Sequence, residues 1–144
     1  MAKHLVLKDD TSRIEYIFVQ NSSVTTGAGL TGLVFNSAGL TAYYARTQGA
    51  ATAITLATQT VTGAYSSGGF VEVDATNMPG IYRLDVPNAV FATGVDKAVL
   101  LLKGATNMAP VTMEYQLVNF DTENATTLGL TNLDAAVSSR MATY

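Results

Sequence analysis

A chain of 144 residues that is 48% apolar and only 13% charged is long enough for one domain with a real core and too apolar to stay disordered. Its net charge of −3, with eight Lys and Arg residues scattered along it, leaves no basic stripe to track nucleic-acid phosphates. The absence of Cys removes disulfides, thiolate metal sites and a Cys nucleophile from consideration.

The N-terminus, MAKHLVLKDD, has an apolar stretch too short for a secretory signal, and no window of the sequence is long and apolar enough for a membrane span. The expectation is a protein made and folded in a cytoplasm, with no membrane partner, which is compatible with leaving a cell inside a particle. A surface so poor in charge is either covered by partners or built from Thr, Ser and Asn.

In chain order, Leu5 and Leu7 alternate with His4, which places His4 on the exposed face of an edge strand. Arg13 to Gln20 (RIEYIFVQ) has β-type content with Ile14, Tyr16 and Phe18 on one face. NSSVTTGAGLTG is loop material. Leu33 to Phe35 is a short apolar run, and Leu40 to Arg46 (LTAYYAR) is a strand. Gly49 to Thr62 is rich in Ala and Thr, anchored by Ile54, Leu56 and Val61.

Ser66 to Gly69 reads as a turn into a strand from Phe70 to Asp74, with Val71 and Val73 on one side and Glu72 and Asp74 on the other. Asn77 to Gly80 (NMPG) is a second turn. Tyr82, Leu84 and Val86 then share a face opposite Arg83 and Asp85, and Pro87 to Thr93 holds one helical turn. Lys97 to Lys103 (KAVLLLK) reads as a central strand. Val111, Met113, Tyr115 and Leu117 alternate with Thr112, Glu114 and Gln116. Short strands with turn signals every 8–12 residues or so are the pattern of a β-sandwich or barrel, and no helical pattern lies between them to build a parallel α/β sheet. The expected core is Val71, Val73, Tyr82, Leu84, Val86, Leu100, Leu102, Val111, Met113, Tyr115 and Leu117.

The last segment changes character. Asp121 to Leu130 is polar and linker-like, and beyond it Leu130, Leu133, Val137, Met141 and Tyr144 fall near helical spacing. Thr131 and Asp134 stand where a capping box would, and Arg140 lies late, where it suits the helix dipole. Residues 1–120 are therefore expected to form the sandwich, and 121–144 a linker and short amphipathic helix whose apolar face is the expected interface. So short a helix must pack on something, either its own domain or other copies, and whether the chain is one piece of a longer polypeptide stays open.

Several patterns mimic chemistry. Gly27-Ala-Gly-Leu-Thr-Gly32 matches GxGxxG, but strand and turn material follows it, and the first acidic residue after it is Glu72. It reads as a flexible loop between strands, with no cofactor. His4, the only histidine, has no Cys to work with, and no set of nucleophile, base and orienter can be assembled, so the chain is expected not to be an enzyme. Asp74 and Asn77 flank a turn; two oxygen ligands do not make a calcium site, and both suit turn chemistry. Asn21-Ser-Ser23 and Asn124-Ala-Thr126 match the glycosylation acceptor, which carries little weight without a secretion signal. Tyr43, Tyr44, Tyr65 and Tyr82 could form a sugar-stacking surface, which keeps a glycan as an alternative partner.

The stretch Asp74-x5-Gly80-x-Tyr82-x-Leu84 resembles the corner leading into strand F of immunoglobulin-like domains. That resemblance implies that the Tyr82 hydroxyl bonds back to the corner backbone. AYSSGGFVEVDATNMPGIYRLDVP, KAVLLLKGATNMAPVTMEYQLV and NLDAAVSSRMA together resemble modules of tailed-phage virion proteins of the tail-fibre, baseplate, head-fibre or decoration type. The resemblance covers about residues 12 to 142. It implies an all-β, immunoglobulin-like antiparallel β-sandwich followed by a short C-terminal helix, and a homo-oligomeric structural component of a virion, assembled in host cytoplasm, that docks to other virion proteins. The alternative is a glycan- or receptor-binding module of an adhesion device.

Overall fold

The computed structural model describes residues 3–120. The strands are β1 (Lys3–Leu7), β2 (Ile14–Phe18), β3 (Thr41–Arg46), β4 (Thr52–Ile54), β5 (Ala57–Thr58), β6 (Gly69–Asp74), β7 (Met78–Asp85), β8 (Lys97–Lys103) and β9 (Val111–Val118), with one 3-10 turn at Asn88–Phe91. They form a five-stranded sheet in the order β1-β9-β8-β3-β4 and a four-stranded sheet in the order β2-β7-β6-β5. Side chains from both sheets meet in a single buried cluster, so the all-β, sandwich-like reading holds. The sheets are mixed and not purely antiparallel. β1 runs parallel to β9, and β5 parallel to β6. The expected linker and helix over 121–144, with Leu130, Leu133, Val137, Met141 and Tyr144, lie outside the described residues.

Of the expected core, Tyr82, Leu84, Val86, Leu100, Leu102, Met113, Tyr115 and Leu117 are buried, and Val111 packs against them part-buried. Val71 and Val73 do not belong to it. The register pairs Phe70 with Leu84, Val71 with Arg83 and Glu72 with Tyr82, so Phe70 and Glu72 take the inner face and Val71 the outer one, while Val73 sits at a register shift between Glu72 and Asp74. The core is also aromatic in a way that alternation does not show. Phe70 stacks on Tyr82 at 5.0 Å, and Phe91 of the 3-10 turn meets Tyr115 edge-on at 5.0 Å. Truncating Leu84, which is 0% exposed between these layers, is expected to cost about 2–5 kcal/mol as Leu84→Ala, read as a shift in the midpoint of chemical denaturation.

The turn expected at Asn77–Gly80 sits earlier. Asp74 accepts the N–H groups of Thr76 (2.8 Å) and Asn77 (2.9 Å), which closes the reversal before Met78 and lets β7 start there. Arg83 and Asp85, on the face opposite Tyr82, Leu84 and Val86, are nevertheless 2% and 0% exposed. Arg83 Nε donates to Asp85 Oδ1 at 2.7 Å and its Nη2 to Oδ2 at 3.0 Å, while Nη1 donates to the carbonyls of Thr60, Val61 and Gly63. Asp85 Oδ2 also accepts from Gln59 Nε2 (2.6 Å) and the Ser66 N–H (2.8 Å). The segment from 59 to 66 is thereby held over the outer face of β7. Strict alternation misses this because a loop, and not solvent, covers that face.

Candidate interaction surface

Strand β2 is an edge strand with its parity set by β7. Their ladder pairs Glu15 with Leu84 and Ile17 with Tyr82, flanked by Val86 N–H donating to the Arg13 carbonyl (3.0 Å) and Val19 N–H donating to the Gly80 carbonyl (2.8 Å). In an antiparallel ladder, residues that exchange bonds with one neighbour alternate with residues whose N–H and C=O point to the other side. Arg13, Glu15, Ile17 and Val19 therefore bond to β7, and Ile14, Tyr16 and Phe18 aim their backbone groups at the open edge. Among the described residues no strand pairs with that edge.

The same three residues carry the exposed side chains. Ile14, Tyr16 and Phe18 are 37%, 61% and 46% exposed, whereas Glu15, Ile17 and Val19 are buried. The apolar face readable in this strand is thus the solvent face. The buried face holds a carboxylate, which is stabilised locally: Glu15 Oε1 accepts from Arg13 Nε at 2.6 Å, and Oε2 lies 3.7 Å from His4 Nδ1. Arg13 in turn reaches Asp10 at 3.1 Å. Desolvation lowers the Arg13 pKa, but the bonds and charges of Glu15 and Asp10 outweigh it and raise the value overall.

On the neighbouring edge, β1 shows the opposite parity to the one expected. Val6 is buried and His4 half-buried, while Leu5 and Leu7 are exposed. Parallel pairing with β9 aligns His4 with Tyr115, and the imidazole lies 5.7 Å from that ring. His4 does sit on an edge strand, but on its inward side. β1 and β2, linked through His4 and Glu15, form one flank of the molecule with apolar side chains on both outer faces.

The remaining candidates are scattered or occupied. Tyr82 is fully buried, Tyr44 packs on the core, Tyr43 points to the opposite face from Tyr44, and the Tyr65 hydroxyl donates to the Val86 carbonyl, so the four tyrosines do not make one stacking surface. Asp74 accepts from the Asn77 side-chain amide (2.8 Å) as well as from the turn N–H groups, and these bonds lower its pKa. Among the described residues no three His, Asp or Glu side chains cluster as metal ligands do.

The glycine-rich loop is bound into the fold. Gly27 and Gly32 adopt left-handed backbone (φ +75° and +81°). Gly29 lies so close to β7 that a Cβ there would overlap the Pro79 carbonyl. The Gly32 N–H donates to Glu72 (2.9 Å). Tyr82 supplies the deepest anchor, donating its hydroxyl to the Leu30 carbonyl (2.7 Å) and accepting the Leu33 N–H (3.2 Å). Burial pushes the Tyr82 pKa up to about 12, the bond from Leu33 opposing. The corner bond implied by the immunoglobulin resemblance is therefore replaced by bonds to a loop about fifty residues upstream. Beside the loop, Leu33, Phe35, Phe70, Val71 and Glu72 line a cleft of about 330 Å3.

No family model, curated protein or solved structure matches this chain.

Proposed function

We propose that the chain is a non-enzymatic structural component of a phage virion that docks to itself or to other virion proteins, assembled in host cytoplasm. The observation that carries docking is the β1/β2 flank, where Leu5, Leu7, Ile14, Tyr16 and Phe18 lie exposed beside an open strand edge. The interior charges of Arg83, Asp85 and Glu15 are spent on holding the scaffold. The virion assignment draws on the resemblance in phrasing. Its two longest stretches fall on the β6–β7 and β8–β9 pairs, one in each sheet, which form the body of the domain.

The finer fold reading, an immunoglobulin-like sandwich, has the pairing order in its favour. β2-β7-β6 matches the B-E-D side of such domains, and β3-β8-β9 the C-F-G side. In that alignment Tyr82 falls on strand E and not on strand F, which accounts for its different hydrogen bonds. The tail interface of Leu130, Leu133, Val137, Met141 and Tyr144 is proposed as a second docking element.

Peptide mass spectrometry of particles purified from cells that make the chain tests this reading. The chain is expected at a fixed copy number per particle after washing in high salt, and its absence from washed particles overturns the assignment. The alternative glycan-binding module has one observation in its favour, the exposed Tyr16 and Phe18 rings, on which a sugar could stack. Glycan-array binding abolished by Tyr16→Ala would favour it over the virion reading.

A further inference from the structure

We propose that a second copy of this chain pairs antiparallel along the open edge of β2, about a two-fold axis through Tyr16, joining the two four-stranded sheets into one. The proposal rests on the self-docking part of the reading above and names its surface.

The backbone phase is the first argument. Ile14, Tyr16 and Phe18 are the residues whose N–H and C=O groups face away from β7. With the axis through Tyr16, each Tyr16 exchanges both bonds with its mate, and Ile14 exchanges both with Phe18 of the second copy. Every outward group of the strand is then satisfied.

Side chains select the same register. Cross-strand neighbours on the exposed face become Tyr16 with Tyr16 and Ile14 with Phe18, the aromatic and aromatic–aliphatic pairs that stabilise sheets. Charge removes a neighbouring register. An axis through Glu15 would set two carboxylates directly opposite each other, which destabilises a strand pair. With the axis at Tyr16, Glu15 faces Ile17 of the second copy and keeps its own Arg13.

The other long edge is guarded where this one is not. β1 begins at Lys3 and is followed by Lys8, and edge lysines discourage strand addition. β2 has no Lys, and the charge at its start, Arg13, is engaged by Glu15 and Asp10. Because β1 pairs with β9 in the other sheet, it does not cover the edge of β2. An isologous strand pair of this kind closes into a dimer and leaves no unsatisfied copy of the same surface.

Sedimentation velocity of the full chain over a wide concentration range tests the proposal. A reversible dimer is expected. Tyr16→Pro should weaken it at least about tenfold, because it deletes a donor on both sides of the axis while sparing the ladder to β7, where edge strands tolerate Pro. Phe18→Lys, which leaves the backbone unconstrained, should weaken it comparably, and so covers the case in which Tyr16→Pro fails to fold. Val99→Lys, an exposed change on the outer face of the other sheet, should leave it unchanged. A chain that is monomeric at every concentration overturns the proposal. So does self-association that survives Tyr16→Pro and Phe18→Lys but is lost in Leu133→Lys/Val137→Lys; that outcome leaves the self-docking reading standing, through the tail.

Discussion

Asp85→Ala is expected to destabilise the domain by about 3–5 kcal/mol, the range for removing one partner of a buried ion pair. Arg83 would remain 2% exposed with no counter-charge, while its Nη1 stays locked to three carbonyls of the 59–66 segment. The N–H of Ser66 and the amide of Gln59 would lose their acceptor as well. Replacing both members by apolar residues, as in Arg83→Met/Asp85→Leu, should recover much of the loss, because desolvation of the pair then disappears along with its attraction. The segment over β7 should not recover, since its carbonyls were held by the guanidinium. Proteolysis within 59–66 in the double variant, at near-native melting temperature, is the expected result.

The pH dependence follows from the same pair. Burial alone would raise the Asp85 pKa, but the bonds from Arg83, Ser66 and Gln59 and the charge of Arg83 outweigh it and hold it below 3.8. A folded value depressed below the unfolded one gives stability that is fully present above pH 3.8 and is lost as pH falls through the folded value. Arg83, raised chiefly by its bond to Asp85, does not titrate in this window. The stability gap between the native chain and Asp85→Asn, measured by urea denaturation, should therefore be constant from neutrality to about pH 5 and narrow below pH 4. A gap that instead narrows between pH 5 and 7 would overturn this account.

The β-strand content was legible from short apolar stretches between turn signals, and period-two patterning is clearest in the five-stranded sheet. Met113, Tyr115 and Leu117 on β9 alternate in sequence and in burial alike, whereas β8 is a continuous apolar run in which only burial alternates, at Ala98, Leu100 and Leu102. Patterning failed where something other than solvent or core covers a face. Arg83 and Asp85 look like surface residues because nothing local reports that residues 59–66 return to cap them. On β2 both faces carry apolar side chains, Ile14, Tyr16 and Phe18 against Ile17 and Val19, so parity is undetermined by sequence. It is fixed by pairing with β7, which aligns Ile17 with the buried Tyr82. One clue was available: Val19 extends the Ile17 face beyond the strand, and Arg13 adjoins Glu15, so an inward carboxylate had a ready partner. The parallel placement of β1 was not legible, since a short strand before a turn pairs with either sheet equally well until β9 exists to receive it. The glycine loop was read as a flexible connection; it does connect two strands, but hydrogen bonds with Tyr82 and Glu72 tie it down. Its anchoring by Tyr82 is a contact across about fifty residues, and no short-range pattern encodes it.

Phe70→Ala should produce a comparably large loss, about 3–5 kcal/mol, and a second effect that a simple cavity would not. Phe70 is 2% exposed and lies parallel to Tyr82, 5.0 Å between centroids and 3° between planes. Its removal deletes the buried ring and widens the cleft that it lines with Leu33 and Phe35. It also frees one face of Tyr82, whose hydroxyl is the bridge between the Leu30 carbonyl and the Leu33 N–H. Tyr82→Phe isolates that second effect. It keeps the stacked pair and strands a buried N–H, at a cost of about 1–3 kcal/mol. Hydrogen exchange separates the contributions. In Tyr82→Phe the amide of Leu33 should lose protection while Leu100 and Leu102 in the opposite sheet keep theirs. In Phe70→Ala all three should exchange faster, with Leu33 losing most. Equal loss at the three amides in both variants would mean that the loop opens only by global unfolding, and Tyr82 would then be part of the core and nothing more.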